Sequence, residues 1–271
     1  MLNYISEHLH SDEQKQKQLE ADLASNLKSN FNRSINAFLK HIPTLGEQLK
    51  QFRPHSTSVF VNKYAQLNIV NFTTGNVLYP VDCDRAIANQ IACWEQRSVA
   101  YDLSNASAMR MYDNDLNDLG IQHFAKIKDK QHVFDTLILL GIGSGKYIID
   151  LIKAFQLKFL LMYEPNWQLL YCSLSICDWR EIFDYCQAHN ITIFIQTSTE
   201  FENDLKELAS STDGKHALIY QHLHTRDFDA FVRDTRFNMR ALTEHEKQCA
   251  ELEIWQPAAN LKDWKRYDEH S

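Results

Sequence analysis

Three of the chain's seven glycines fall within five residues, Gly141, Gly143 and Gly145, in the stretch LILLGIGSGKYIIDLIKAFQLKFLLMYEPN. A chain this poor in glycine concentrates it where the backbone must turn sharply or where something comes close to it. The run before it, Leu137–Leu140, is apolar without alternation, as in a strand buried on both faces. The run after it has helical spacing. Strand, glycine turn and helix in that order open a β-α-β unit.

Downstream the same pattern repeats. Strands are expected at 136–140, 159–163, 191–195 and 217–220. Helices are expected at 146–155, 167–175, 178–189, 200–210 and 227–249. Continuous apolar strands alternating with helices specify a Rossmann-like, doubly wound, mostly parallel α/β sheet. The domain is expected over residues 119–256, followed by a linker or tail over 257–271.

Residues 1–118 read differently. Leu19, Leu23, Leu27, Phe31, Ile35, Phe38, Leu39 and Ile42 recur at steps of three and four, which predicts an amphipathic helix over about 12–42. Ser11 and Asp12 are its candidate N-caps and Pro43 marks its stop. The segments VFVNKY, LNIVNF and NVLYP predict a small antiparallel meander, with its clearest turn at Thr74–Asn76. Asp82 and Asp84 are placed to cap a helix whose Ile87, Ile91 and Trp94 share a face. Residues 101–118 read as a loop with a short helix and hold the boundary between the two zones.

Composition narrows the function. The formal charge is −7 and the basic residues are scattered, so no positive field draws nucleic acid. The start MLNYISEHLHSDEQ lacks the basic and apolar regions of a secretory signal, and the apolar runs are too short to span a bilayer. A cytoplasmic protein with no membrane partner is expected. The six cysteines form no CxxC pair and read as packed thiols.

In the glycine turn, Gly141 permits the turn out of the strand, Gly143 permits close approach of a ligand, and Gly145 lets the helix start against the sheet. Ser144 lies among them. Glu164 follows the next strand, where Rossmann-like folds place an acid that accepts hydrogen bonds from ribose. Asn166 can cap the following helix. Gly141, Gly143, Ser144, Gly145, Glu164 and Asn166 are therefore the candidate binding residues for a nucleotide-like ligand. The plainer reading is that the glycines build only the turn and that Glu164 is a surface carboxylate. GxGxxG is not met, since Lys146 stands at its last position, and no Ser or Thr follows Lys146 as a P-loop requires. GxGxG with a downstream acid suits S-adenosylmethionine as cofactor better, although Leu139 and Leu140 stand where such enzymes often carry an acid. His222 and His224, at i and i+2, are a conceivable metal pair without a third ligand; two solvated histidines is the plainer reading, and no metal is expected. No residue pattern assigns a catalytic role.

The stretches LILLGIGSGKYIIDLI and LLMYEPNWQLLYCSLSICDWREIF, with NVLYP before them, resemble the amino-terminal region of the motility-associated factor (Maf) family of bacterial flagellin glycosyltransferases. The resemblance covers about residues 57–220, and Glu164-Pro165-Asn166 is its most specific element. It implies transfer of a nonulosonic acid, of pseudaminic or legionaminic type, from a CMP-activated donor to serine or threonine of flagellin. The family's catalytic region, shared with 6-hydroxymethylpterin diphosphokinase-like proteins, opens with a GPSL-like turn that this sequence lacks. The resemblance thus implies an amino-terminal piece that supports catalysis or positions substrate, partnered by flagellin or the rest of a longer transferase. Two other readings stand beside it: a methyltransferase-like small-molecule enzyme, and an interaction module that self-associates through the 12–42 helix.

Overall fold

A computed structural model describes residues 3–80, 82–97, 99–102, 110–111, 135–197 and 216–222 of the chain. They fall into two compact units. One gathers residues within Met1–Ala88, Ile142–Leu151 and Asn166–Asn190, the other those within Asn89–Gly141, Ile152–Pro165 and Ile191–Ser271. The expected boundary near residue 118 lies outside the described residues.

In chain order the elements are α1 (Asn3–Ser6), α2 (Glu13–His41), α3 (Pro43–Gln51), β1 (Thr57–Val61), β2 (Leu67–Asn71), α4 (Cys83–Arg97), β3 (Val99–Asp102) and β4 (Arg110–Met111). Then follow β5 (Thr136–Leu140), α5 (Ile148–Ala154), β6 (Phe159–Tyr163), α6 (Trp167–Ile176), α7 (Trp179–Ala188), β7 (Thr192–Gln196) and β8 (His216–Gln221).

The first unit is built on α2. Asp12 caps it, its carboxylate accepting from the backbone N–H groups of Gln14 at 2.9 Å and Lys15 at 3.2 Å. That satisfies donors which a helix start leaves unpaired. Apart from Gln16 near its start, the buried positions of the helix, Ser34, Ile35, Ala37 and Phe38, lie in its carboxyl half. Phe38 packs against Trp179 and Phe183 of α7, with ring centroids 5.0 and 5.2 Å apart. Phe31 meets Tyr171 of α6. Farther towards the amino end, Leu19, Leu23 and Leu27 are half-buried.

Antiparallel β1 and β2 pair Thr57 with Asn71 through Val61 with Leu67. Their inner face meets α6 in a cluster of Ile69, Leu169 and Cys172. Gln168 of α6 fixes the start of β1: its side-chain oxygen accepts from the backbone N–H groups of His55, Ser56 and Thr57.

The second unit holds a six-stranded sheet in the order β4-β3-β8-β5-β6-β7. Strands β8, β5, β6 and β7 are parallel, and β3 and β4 are antiparallel. Helices lie between successive parallel strands in the sequence, α5 between β5 and β6, and α6 with α7 between β6 and β7. From β5 the chain builds outward to β6 and β7, then β8 pairs on the other side of β5. That reversal is the doubly wound pattern, and the mostly parallel α/β class expected from the sequence is the class observed. All five residues of β5 are buried, so both its faces are covered, as its unbroken apolar run requires.

Several local expectations change. Pro43 does end α2, and it also opens α3 as a first-turn proline, the position where its missing N–H costs nothing. The segment NVLYP contributes only one bridge, Val70 to Val77, rather than a third strand. Residues 101–102 and 110–111 are sheet, in β3 and β4, rather than loop. Both strands border an Asn-, Asp- and Ser-rich stretch of sequence that reads as loop, and they are very short; the sheet recruits them by antiparallel pairing. The helices expected at 200–210 and 227–249 and the tail after Pro257 lie outside the described residues.

Candidate functional site

The glycine turn keeps its three conformational demands. Gly141, Gly143 and Gly145 have φ of +92°, +58° and +75°, values that strain a residue bearing a Cβ. Yet the first and last of them meet different surroundings.

Gly145 and Ser144 belong to the first unit, and both are committed to packing. A Cβ on Gly145 would stand 3.1 Å from the Cys177 Cβ and 3.6 Å from the Ser173 Cβ. Ser144 is buried and its hydroxyl lies 3.1 Å from the Tyr79 hydroxyl, which is buried too. Burial raises the Tyr79 phenol well above its ordinary range, so it stays neutral. Lys146 reaches Asp84 in an ion pair that is half-exposed on both sides. Burial pushes the nearby Cys83 thiol up to about 12, against the opposing pull of Lys146.

Helix α5 begins at Ile148, not at the expected 146, and spans seven residues. The Gly145 N–H donates to the Ile142 carbonyl at 3.0 Å, and the Ile148 N–H to the Gly145 carbonyl at 3.1 Å. The segment 142–148 is therefore a sequence of turns, where the sequence predicted a helix starting directly at the glycines. Asn166 caps α6: its side-chain oxygen accepts from the N–H groups of Gln168 at 3.0 Å and Leu169 at 3.4 Å.

The second unit holds the other part of the candidate set. Each parallel strand pairs one residue past its end. The Gly141 N–H donates to the Tyr163 carbonyl at 2.7 Å, Glu164 N–H to Gln196 at 3.0 Å, and His222 N–H to Leu140 at 2.7 Å. Read across the carboxyl edge of the sheet, His222, Gly141 and Glu164 therefore terminate the adjacent strands β8, β5 and β6. The strand order reverses here, and open α/β sheets bind ligands outside such a reversal. Glu164 and His222 are both 0% exposed. That corrects the reading of Glu164 as a surface carboxylate and of His222 as a solvated histidine. The phenol of Tyr163, inside the same edge, is raised by burial and then by the charge of Glu164.

The structure thus brings Gly141 and Glu164 together, adds His222, and gives Ser144, Gly145 and Asn166 work in packing and capping. His224, the second half of the conceivable metal pair, lies outside the described residues. No cluster of three or more His, Cys, Asp or Glu among the described residues is arranged to hold a metal ion. The one signal for His222 in the sequence was its place immediately after an apolar run that pairs beside β5.

This architecture is that of a Rossmann-like α/β domain with an added helical and hairpin unit. A family described as the glycosyltransferase Maf N-terminal domain matches residues 30–235. The match covers more than half of the chain, and the chain belongs to that family. Among solved structures, the Maf glycosyltransferase from Magnetospirillum magneticum AMB-1 is similar in fold, with a TM-score of 0.50 and 19% identity. The likeness covers 80% of this chain and 35% of that longer one. A comparison with curated proteins gave no match. No described helix is long and apolar enough to cross a membrane.

Proposed function

We propose that this chain is the amino-terminal part of a Maf-type glycosyltransferase system that modifies flagellin with a nonulosonic acid in the cytoplasm. Its role is to support the catalytic region or position the acceptor rather than to transfer sugar alone. The observation that carries this reading is the family match over residues 30–235. The likeness to the Magnetospirillum Maf glycosyltransferase spans 35% of that chain, so the activity of the whole transferase enters here only as part of the proposal. The partners are then flagellin and the remainder of a longer transferase, and a CMP-activated sugar is the donor used by that catalytic region.

The two other readings lose ground on particular contacts. A methyltransferase would use the glycine turn to hold its cofactor, but Ser144 bonds to Tyr79 and Gly145 packs on Cys177. An interaction module would free the α2 stripe for a partner, but Phe31 and Phe38 already pack on α6 and α7.

Deletion of the encoding region tests the proposal. Intact-mass spectrometry of flagellin from the deletion strain should show loss of the nonulosonic acid increments, restored by complementation. Flagellin of unchanged glycoform mass would refute the role.

A further inference from the structure

We infer that this chain self-associates through β7, two copies pairing their edge strands antiparallel about a twofold axis at Phe194. The inference does not depend on the glycosyltransferase reading.

Strand β7 closes one side of the six-stranded sheet, and among the described residues it pairs with β6 alone. The ladder bonds at its two ends fix which way its backbone faces. The Thr192 N–H donates to the Lys158 carbonyl at 2.8 Å, and the Gln196 carbonyl accepts from the Glu164 N–H at 3.0 Å. Successive residues of a strand turn their backbone groups to opposite sides. Thr192, Phe194 and Gln196 therefore face β6, and Ile193 and Ile195 turn their N–H and C=O groups to the open side.

Such an edge is a template for another strand unless charge, proline, a bulge or extreme shortness blunts it. The opposite edge of the sheet is blunted, since β4 spans two residues. Strand β7 is not. Its register with β6 runs unbroken from Thr192 to Gln196, and ITIFIQT, residues 191–197, holds no charge, proline or glycine. Ile193, Phe194 and Ile195 are half-buried and Thr192 is exposed.

The order of residues points to a second copy as the occupant. Thr-Ile-Phe-Ile-Gln reads the same in kind from either end: polar, aliphatic, aromatic, aliphatic, polar. Antiparallel pairing centred on Phe194 sets Ile193 opposite the second copy's Ile195, and Thr192 opposite its Gln196. In this register both outward residues of each copy exchange their N–H···O bonds. Phe194 then meets its own counterpart in a non-hydrogen-bonded pair, with Cα atoms ~4.5 Å apart, where side chains come closest. Aromatic and β-branched pairs of this kind stabilise sheets, and an uncharged strand brings no like charges together at the axis. Twofold contacts need such self-complementarity. The contact is a single strand on each side, smaller than a standard interface, so dissociation is expected at about 10–100 µM.

Sedimentation equilibrium of the full chain over about 1–200 µM should show monomer and dimer in exchange. Ile195→Pro removes an outward N–H and leaves the ladder to β6 in place; it should weaken the dimer about tenfold or more. Single cysteines read the register, with oxidised glutathione as the oxidant and the unmodified chain as background. Phe194→Cys should form a disulfide dimer, because its expected Cα separation suits a disulfide. Thr192→Cys, although more exposed, should form about tenfold less, because the two copies of residue 192 stand ~13 Å or farther apart. A monomer at every concentration would overturn the inference, as would a dimer indifferent to Ile195→Pro or equal cross-linking at 192 and 194. Where Ile195→Pro fails to fold, the two cysteine variants decide.

Discussion

The glycine turn joins two regions whose buried polar groups sit in different kinds of place. In the first unit every such group near the turn has a short protein partner. Ser34 Oγ donates to the Cys177 carbonyl and accepts from the Trp179 N–H, Trp179 Nε1–H donates to Ser173 Oγ, and Ser173 Oγ donates to the Leu170 carbonyl. Ser144 is held by Tyr79 in the same manner. These groups fix how α2, α6 and α7 pack. In the second unit the buried polar side chains Glu164 and His222, which also interact within the protein, sit at strand ends where the strand order of the described residues reverses. The lesson is that a glycine motif read as one ligand loop divides into a packing half and an edge half.

The largest test of that division concerns the thiols. Burial pushes Cys83, Cys172 and Cys186 up to about 12, and raises Cys177 further, with Asp178 and Glu181 adding to it. A raised thiol pKa keeps the neutral, unreactive form through neutral and mildly alkaline pH. Alkylation at pH 8 should be slowed about a thousandfold at these four positions relative to the unfolded chain. Peptide mass mapping reads each one, and rapid native labelling of Cys177 would show that the packing half is open.

Truncation of the aromatic centre comes next. Trp179→Ala removes contacts with Phe38 and Phe183 and the bond to Ser173. It should cost about 3–5 kcal/mol in denaturant unfolding. Gly145→Ala combines a positive φ with a Cβ too close to Cys177 and should cost about 1–3 kcal/mol. A neutral result would mean that the turn relaxes and that Gly145 is not needed for packing. Tyr79→Phe deletes one partner of Ser144 and should cost about 1 kcal/mol. Lys146→Ala, which breaks the half-exposed pair with Asp84, should change stability by less than about 0.5 kcal/mol. A larger loss would give that pair a structural role.

Much of the fold was legible because its signals are strong and local. The apolar runs LILLG and FLLMY could only be buried parallel strands, and β5 and β6 occupy the expected residues. Asp12, Asn166 and Asp178 advertise their helices by side chains that accept backbone N–H groups. Short elements were harder to read. Helix α3 was missed because Pro43 signals a stop and a start equally well, and β3 and β4 were hidden because they are short and border a polar stretch of sequence. For the candidate residues, sequence order placed Gly141 and Glu164 at strand ends, because a strand end is a local feature. It did not separate Ser144 and Gly145 from them, since Tyr79, Ser173 and Cys177 arrive from distant parts of the chain. Spacing marked His222 only as a pair with His224; its place beside β5 follows from strand order rather than spacing.

The most direct measurement compares the melting temperatures of the unmodified chain and Gly145→Ala. Gly145→Ala should melt several degrees lower, because its Cβ meets Cys177 at a positive φ. An unchanged melting temperature would contradict the packing role given to this half of the glycine turn.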